Sequence, residues 1–401
     1  MCISDCLLTI SFESCNITLT TLSSAITTAS DFLSEQLREL PDKMSDPPDG
    51  TQFLRTANNT LHATLQDVAV LAGVSAKTVS RVVNNQGEIK ETTRQRVQEA
   101  IDELGYQPNF LARSLVHRRT HTLAVVAWGI DYFGPSRTLV GIQQQADELG
   151  YSLFLNLLIQ PDDPSHERVL NDFIAHRVDG IIWAVPEVGD NRTWIKSDRL
   201  KQLPPIVFLN MSAQPGFTVV SVNNQNGAKR ATQHLIDQGR CRVGIITGPQ
   251  RWWEARERYL GWKSTLDQAG LKSSPSLAVE SDWSSAGGEQ AMYKLLMQEP
   301  EIDAVFASSD QIALGAMRAL SASGRRIPQD LAIVGFDNMP ESAFFDPPLT
   351  TMYQHLVDVG RIAVQNLHRM IEVHRKGKEL VEAQAMISEP ELIVRASTMR
   401  P

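Results

Sequence analysis

Short polar and cationic side chains crowd residues 64–84, TLQDVAVLAGVSAKTVSRVVN, where Ala76, Lys77, Ser80 and Arg81 fall outside an apolar stripe of Val79, Val82 and Val83. Hydroxyls, an ammonium and a guanidinium on one helix face suit the phosphates and base edges of a nucleic-acid groove. A second set, Arg256, Trp283 and Asp337, lies far downstream. The planar fork of an arginine donates to two adjacent hydroxyls at once, and a carboxylate accepts from a hydroxyl. An indole face stacks on the C–H side of a pyranose. Both sets also have plainer readings. On amphipathicity alone the first is equally a helical hairpin of a larger helical domain, and Trp283 taken singly is equally a core aromatic; for Arg256 the plainer reading, a surface ion-pair residue, is disfavoured by its place after a strand-end loop. No G-x-S-x-G elbow, H-E-x-x-H, Walker loop or cysteine pair at metal spacing occurs, and the histidines are scattered. An enzyme is therefore not expected, and neither a cofactor nor a metal is implied.

The elements that must position the first set are readable locally. Thr64 is a good N-cap with Asp67 at N3, so that hydroxyl and carboxylate satisfy the orphan amides of a first turn. Val68, Ala69 and Leu71 give this helix of about two turns its apolar side, and Gly73 ends it because glycine enters the left-handed region without a Cβ penalty. Ser75, three residues before Thr78, caps the second helix. A third helix is predicted over 94–104, capped by Thr92 or Thr93, with Val97, Ala100, Ile101 and Leu104 on one stripe and Gly105 at its end. The stretch 110–115, FLARSL, is too short to be a stable helix alone and folds only when something holds it.

Residues 64–115 carry D-V-A-x-x-A-G-V-S-x-x-T-V-S-R-V-x-N and then T-R-x-R-V-x-x-A-I-x-E-L-G-Y-x-P-N-x-x-A-R-S-L. This ungapped run resembles the DNA-binding headpiece and hinge of lactose-repressor-type (LacI/GalR) transcription regulators. The resemblance implies DNA contacts from Thr64, Leu65, Ser75, Ala76, Lys77, Thr78, Ser80, Arg81, Asn84, Asn109, Ala112 and Leu115. Ala76, Lys77 and Arg81 would read bases, and Leu115 would wedge into the minor groove at the operator centre. Such a wedge unstacks a base step, which costs least at a flexible pyrimidine–purine step such as CG.

The net charge of −8 would ordinarily argue against a nucleic-acid partner. Within 60–120, however, Lys77, Arg81, Lys90, Arg94, Arg96, Arg113, Arg118 and Arg119 outnumber Asp67, Glu88, Glu91, Glu99, Asp102 and Glu103. Whole-chain charge is thus a poor guide here. Cys2, Cys6, Cys15 and Cys241 form neither a disulfide framework nor a zinc pattern, which fits a reducing cytoplasm. No uninterrupted apolar run is long enough to span a membrane. Residues 1–61 are rich in Ser and Thr with no Lys or Arg before Arg38, so they read as neither a secretory signal nor a transit peptide. They are expected to be a disordered extension or an over-long start upstream of Met44, without function.

From Thr122 short apolar runs alternate with helical segments. Strands are predicted at 123–127, 152–158, 180–184, 206–209, 219–222, 243–247, 304–307 and 331–335, with an amphipathic helix at 139–149 ended by Gly150. Apolar runs alternating with helices argue parallel sheets covered on both faces, and the number of strands argues two lobes. Ligands bind such sheets beyond the carboxyl ends of the strands. R-V-D-G-I-I, the A-R-x-R-x-x-G-W at 255–262, D-W-S at 282–284, S-D-Q-I-A-L-G-A-M at 309–317, V-G-F-D at 334–337 and P-P-L-T-T at 347–351 resemble the effector core of the same family. That core shares its fold with periplasmic sugar-binding proteins. The fold class expected is an all-α helix-turn-helix headpiece (62–107), a hinge (108–120) and an α/β two-lobed periplasmic-binding-protein-like (type I) core (121–397). Lobe 1 would span about 121–222 and 355–383, and lobe 2 about 223–354 and 384–397.

By resemblance Arg256, Trp283 and Asp337 occupy effector-contact positions, and Gln354, Tyr132, Pro135 and Leu356 line the same cleft. Asn210 stands where lactose-type repressors have an aspartate and Ser309 where they have an asparagine, so a galactoside is not assumed. Trp128 replaces a small residue, narrowing the pocket or stacking on an aglycone. A sugar or glycoside effector is favoured over a purine-like co-repressor, because an arginine-centred polar set suits hydroxyl clusters. One headpiece reads one half-site, so a homodimer on a palindromic, CG-centred operator is expected in the bacterial cytoplasm, associated with the nucleoid. The chain reaches Pro401 without a leucine heptad, which favours dimer over tetramer. A secreted sugar-binding protein is the rival reading; it lacks an export signal and has no use for a headpiece.

Overall fold

The computed structural model describes residues 63–83, 87–106, 119–195, 197–377 and 383–399. The chain divides into two compact units, Met1–Pro108 and Asn109–Pro401.

In the first unit three helices share a small core: α1 (Leu65–Leu71), α2 (Ala76–Val83) and α3 (Glu91–Leu104). Thr64 closes the capping box on α1, its backbone amide and hydroxyl both donating to the Asp67 carboxylate at 2.8 and 2.6 Å. Those two hydrogen bonds hold the Asp67 carboxyl below its usual range. Gly73 turns the chain at φ 64°, and Ser75 Oγ then accepts from the Thr78 amide at 3.1 Å to open α2. Val68, Ala69, Ala72, Val79, Val82, Val97, Ala100 and Tyr106 form the buried centre. The third helix starts three residues earlier than predicted. Lys90 is its N-cap and makes no side-chain cap bond, so neither Thr92 nor Thr93 has that role. Gly105 ends it in the left-handed region, as predicted.

The second unit holds two six-stranded sheets. Lobe 1 contains β1 (Thr122–Ala127), α4 (Phe133–Glu148), β2 (Ser152–Leu157), α5 (His166–Ala175), β3 (Gly180–Ala184), α6 (Ser197–Leu200), β4 (Ile206–Leu209) and β5 (Thr218–Val222). The chain crosses to lobe 2 for α7 (Asn224–Asp237), β6 (Val243–Thr247), α8 (Trp253–Gln268), β7 (Ala278–Glu280), α9 (Ser285–Gln298), β8 (Ala304–Ala307), α10 (Asp310–Ala322), β9 (Ala332–Asp337) and β10 (Thr350–Tyr353). It returns to lobe 1 for α11 (Leu356–Arg375) and β11 (Ala385–Ser388), then ends in lobe 2 with β12 (Glu391–Ile393).

The sheet orders are β11-β5-β4-β3-β1-β2 and β12-β10-β9-β8-β6-β7, parallel throughout except where β12 runs against β10. Apolar clusters lie on both faces of the lobe 1 sheet, and a third fills lobe 2. On one face of lobe 1, α4 and α11 cross so closely that only glycine fits. A Cβ on Gly141 would lie 1.9 Å from the Val357 carbonyl oxygen, and one on Gly360 would lie 2.2 Å from that of Thr138.

The final crossover differs from expectation. Residues 385–388 belong to lobe 1, because β11 pairs in parallel with β5 from Ala385 opposite Val219 to Ser388 opposite Val222. Lobe 2 therefore resumes after this strand rather than at 384. Strand β10 was hidden by its polarity: Thr350 and Thr351 are fully buried, but their hydroxyls donate to the Arg395 carbonyl and the Asp310 carboxylate. The predicted residues Asn84, Asn109, Ala112 and Leu115, and the extension 1–61, lie outside the described residues.

Candidate functional site

The helical unit offers one candidate face. Burying Val79 and Val82 leaves Lys77 and Arg81 exposed on α2, while Ala76, Thr78 and Ser80 are half-buried. Ala76 packs partly against the helical core rather than standing clear of it. Ser75 and Thr78 are within 2.9 Å of each other through their hydroxyls, so both are oriented by the cap they share. Thr64 spends its hydroxyl on Asp67, and Leu65 packs against the core. Lys77, in the first turn, and Arg81, in the last, are thus the long cationic donors that α2 presents to solvent.

In the two-lobed unit the carboxyl ends of both sheets face a cleft. Its lining comes from loops at strand ends: Tyr132, Phe133 and Pro135 after β1, Pro186 after β3, Asn210 after β4 and Asn224 after β5. Lobe 2 adds Trp252, Glu254 and Arg258 after β6, Trp283 after β7, Ser309 and Gln311 after β8, Asp337 at the end of β9, and Gln354 and Leu356 after β10. This is the crevice that parallel sheets leave for ligands. Eight predicted residues meet there: Tyr132, Pro135, Asn210, Trp283, Ser309, Asp337, Gln354 and Leu356.

Arg256 is a correction. The guanidinium in the cleft is that of Arg258, whereas Arg256 reaches across the lobes to Glu187 at 3.2 Å and to the Arg251 carbonyl at 2.9 Å. The buried residues of α8 are Ala255, Arg258, Gly261, Trp262, Thr265 and Leu266, a stripe at helical spacing. Arg258 is on that stripe and Arg256 is two residues off it, nearly half a turn away. The A-R-x-R motif contained both; the period of its apolar neighbours was the signal that distinguishes them.

Arg258 is held from several sides. Its Nε donates to Asn224 Oδ1 at 2.8 Å, Nη1 to the Ser308 carbonyl and Nη2 to Gln354 Oε1 at 3.4 Å. The group lies 3.9 Å from the Phe336 ring centroid and 5.6 Å from that of Trp283. Gln354 continues the chain by donating to Asp337. Burial raises the Asp337 carboxyl pKa, opposed by the nearby Arg258 charge. Behind it Asp310 accepts from Thr351 and from the Met339 amide, and burial raises its pKa as well. Ser309 caps α10 by accepting from the Ile312 amide at 3.1 Å.

Strained backbone concentrates here: Asn210, Trp283 and Asp337 have φ of 50, 72 and 133°. The Trp283 ring lies on Gly248, where a Cβ would come within 2.3 Å of it. Glycine at 248 is therefore the condition for the indole's position.

Trp128 is a second correction, because it does not line this cleft. Its ring packs 5.8 Å from Tyr132 and 5.3 Å from Trp252, and Nε1 donates to the Ile159 carbonyl. It supports two rings that do line the cleft. Beside this aromatic group the lobes are clasped: Val188 bridges Trp252 in antiparallel fashion, Gly189 donates to the Arg251 carbonyl, Trp253 to that of Glu187, and Arg251 pairs with Asp162 at 3.2 Å.

Sequence reasoning also missed Glu254, Trp252 and Asn224. Glu254 is half-buried, its Oε2 is sealed from solvent without a hydrogen-bond partner among the described residues, and burial pushes its pKa up to about 7. No motif marked these three, since each is a loop or first-turn residue without a distinctive neighbour.

Comparisons with known proteins agree with this fold. Residues 64–109 match the bacterial regulatory proteins of the lacI family, and residues 232–398 match the periplasmic binding protein-like domain. Over 337 residues the chain is 31% identical to the HTH-type transcriptional repressor PurR of Aliivibrio salmonicida (strain LFI1238), spanning 84% of this chain and 98% of that relative. The lac repressor dimer bound to operator and the anti-inducer ONPF superposes with a TM-score of 0.75 at 29% identity, covering 85% of this chain and 100% of that one. The transcriptional regulator CelR in complex with cellobiose gives 0.62 at 32% identity, covering 84% and 100%.

Proposed function

Because the chain belongs to the LacI family of bacterial regulatory proteins, we propose that it represses carbohydrate-utilisation genes and leaves its operator when a sugar or glycoside enters the cleft. The family's members are DNA-binding transcriptional repressors, not enzymes. The finer reading is a homodimer on a palindromic, CG-centred operator, acting in the cytoplasm. Thr64, Leu65, Ser75, Ala76, Lys77, Thr78, Ser80 and Arg81 would contact DNA, joined by Asn84, Asn109, Ala112 and Leu115.

The observation that carries the sugar reading is the centre of the cleft. A guanidinium oriented by three partners stands over an aromatic ring, next to a carboxylate, two carboxamides and an indole face. Such a set matches adjacent hydroxyls above a C–H face. The CelR complex, which holds cellobiose, supports it by similarity. Operator and effector then bind reciprocally, each favouring a different arrangement of the lobes. A second reading, a purine base acting as co-repressor, draws on the cluster of Tyr132, Trp252 and Trp283 rings.

A mobility-shift titration with the promoter DNA of neighbouring genes separates the two. Addition of mono- and disaccharides should release the operator, and purine bases should leave it unchanged. Tighter operator binding with a purine, or no release by any sugar, overturns the inducer reading.

A further inference from the structure

We propose that the cleft selects uncharged and amino-bearing sugars and rejects phosphorylated and carboxylated ones, with Glu254 the residue that makes this choice. The inference rests on the sugar-effector reading and names its chemical class.

Glu254 stands in the first turn of α8 and lines the cleft, with Oε2 sealed and lacking a partner among the described residues. A shielded carboxylate oxygen without a donor is unfavourable, and a ligand hydroxyl or ammonium placed there removes that cost. The other charged lining residues are Asp337 and Arg258. Arg258 already donates from each of its three nitrogens to Asn224, Ser308 and Gln354, so its capacity for an anion is partly used. A phosphate or carboxylate would meet two acidic groups and one committed guanidinium inside a poorly solvated cleft. A hydroxyl or an ammonium meets a waiting acceptor. The unpaired state of Glu254 is consistent with burial raising its pKa to about 7.

A protein group competes for Glu254. Arg192, in the loop after β3, is held by its donation to the Val185 carbonyl, while its Nε and Nη1 are buried without hydrogen-bond partners among the described residues. Its charge favours ionised Glu254 from the opposite lobe. An Arg192–Glu254 pair would be a structural clasp, blind to ligand charge. Arg192 does not line the cleft and Glu254 does, which favours the ligand as the missing partner.

The test is calorimetric titration of the full chain at about pH 8, where Glu254 is largely ionised, with glucose, glucosamine, glucose 6-phosphate and glucuronate, the galacto counterparts, and cellobiose with cellobionate. The neutral or amino member of a set should bind at least about tenfold tighter than its acidic partners. The isosteric E254Q variant should narrow that gap about tenfold. Acidic members binding as well as neutral ones in the native protein overturn the inference without recourse to any variant. An equal loss for every ligand in E254Q overturns it too, and assigns Glu254 to the clasp. Tight sugar binding indifferent to Glu254 removes this inference alone; no binding by any member removes the sugar reading along with it.

Discussion

Arg258 and Arg256, two residues apart on one helix, have different partners and therefore different predicted phenotypes. Arg258→Ala removes the group that orients Asn224 and Gln354 within the cleft, so effector release of the operator should be lost while operator affinity stays within about twofold in the absence of effector. Arg256→Ala severs the ties to Glu187 and to the Arg251 and Gln250 carbonyls, and the response should persist; its loss in a release assay would return Arg256 to the cleft. On the helical unit, Arg81→Ala should weaken specific operator binding by about 1–3 kcal/mol if it reads a base. A uniform loss over all sequences, with the salt slope reduced by about one, would assign it to a phosphate instead. The sequence marked both arginines as chemistry-bearing. It did not separate them at first reading because a motif records identity, whereas cleft-facing direction follows from the buried stripe through Ala255, Arg258 and Trp262.

At the scale of elements, caps and glycines are the controlling features. Thr64→Ala removes the hydroxyl half of the box that starts α1 and leaves the backbone-amide half, and should lower the stability of the helical unit by about 1 kcal/mol in a denaturant titration. Gly248→Ala places a methyl against the Trp283 ring. The lobe should stay folded, with weaker effector binding and altered tryptophan emission; unchanged affinity would show that the indole face does not touch ligand. The helices of the first unit were legible because their signals are local: a side-chain cap for the first two, a three-to-four-residue apolar period, and a glycine stop after the first and third; the third, capped by Lys90 without a side-chain bond, was misplaced at its start. Strands β10 and β11 were not. One buries threonines whose hydroxyls find distant partners, and the other is an edge strand with alternate residues exposed.

The two lobes as a whole hold acids where solvent is poor, and this gives a pH dependence with a definite sign. Glu254 has a folded-state pKa of about 7 against an ordinary 4.5, raised by burial and by Glu187, and lowered by Arg258 and Arg192. Between those values the folded chain holds more proton than the unfolded one, so this contribution to stability is present at low pH and lost as pH rises toward about 7. Asp337 adds the same sign, since burial raises its pKa too. Thermal melts of the free protein should therefore show E254Q with a flatter profile than the native chain over that window. A ligand donating to Glu254 prefers the ionised form, so its affinity should rise with pH through the same window and expel a proton on binding. A flat binding profile would place the ligand elsewhere.

The sequence by itself determined the helix-turn-helix unit, the alternation that makes two parallel lobes, and the rule that the site lies at their carboxyl ends. Those properties follow from neighbours a few residues apart. Only the tertiary structure decided that Arg258 rather than Arg256 enters the cleft, that Trp128 supports Tyr132 and Trp252 from outside it, and that Glu254 Oε2 is sealed without a hydrogen-bond partner among the described residues. The lining of a cleft is set by where strands far apart in the chain end beside one another, and by which side of each helix the core has already claimed.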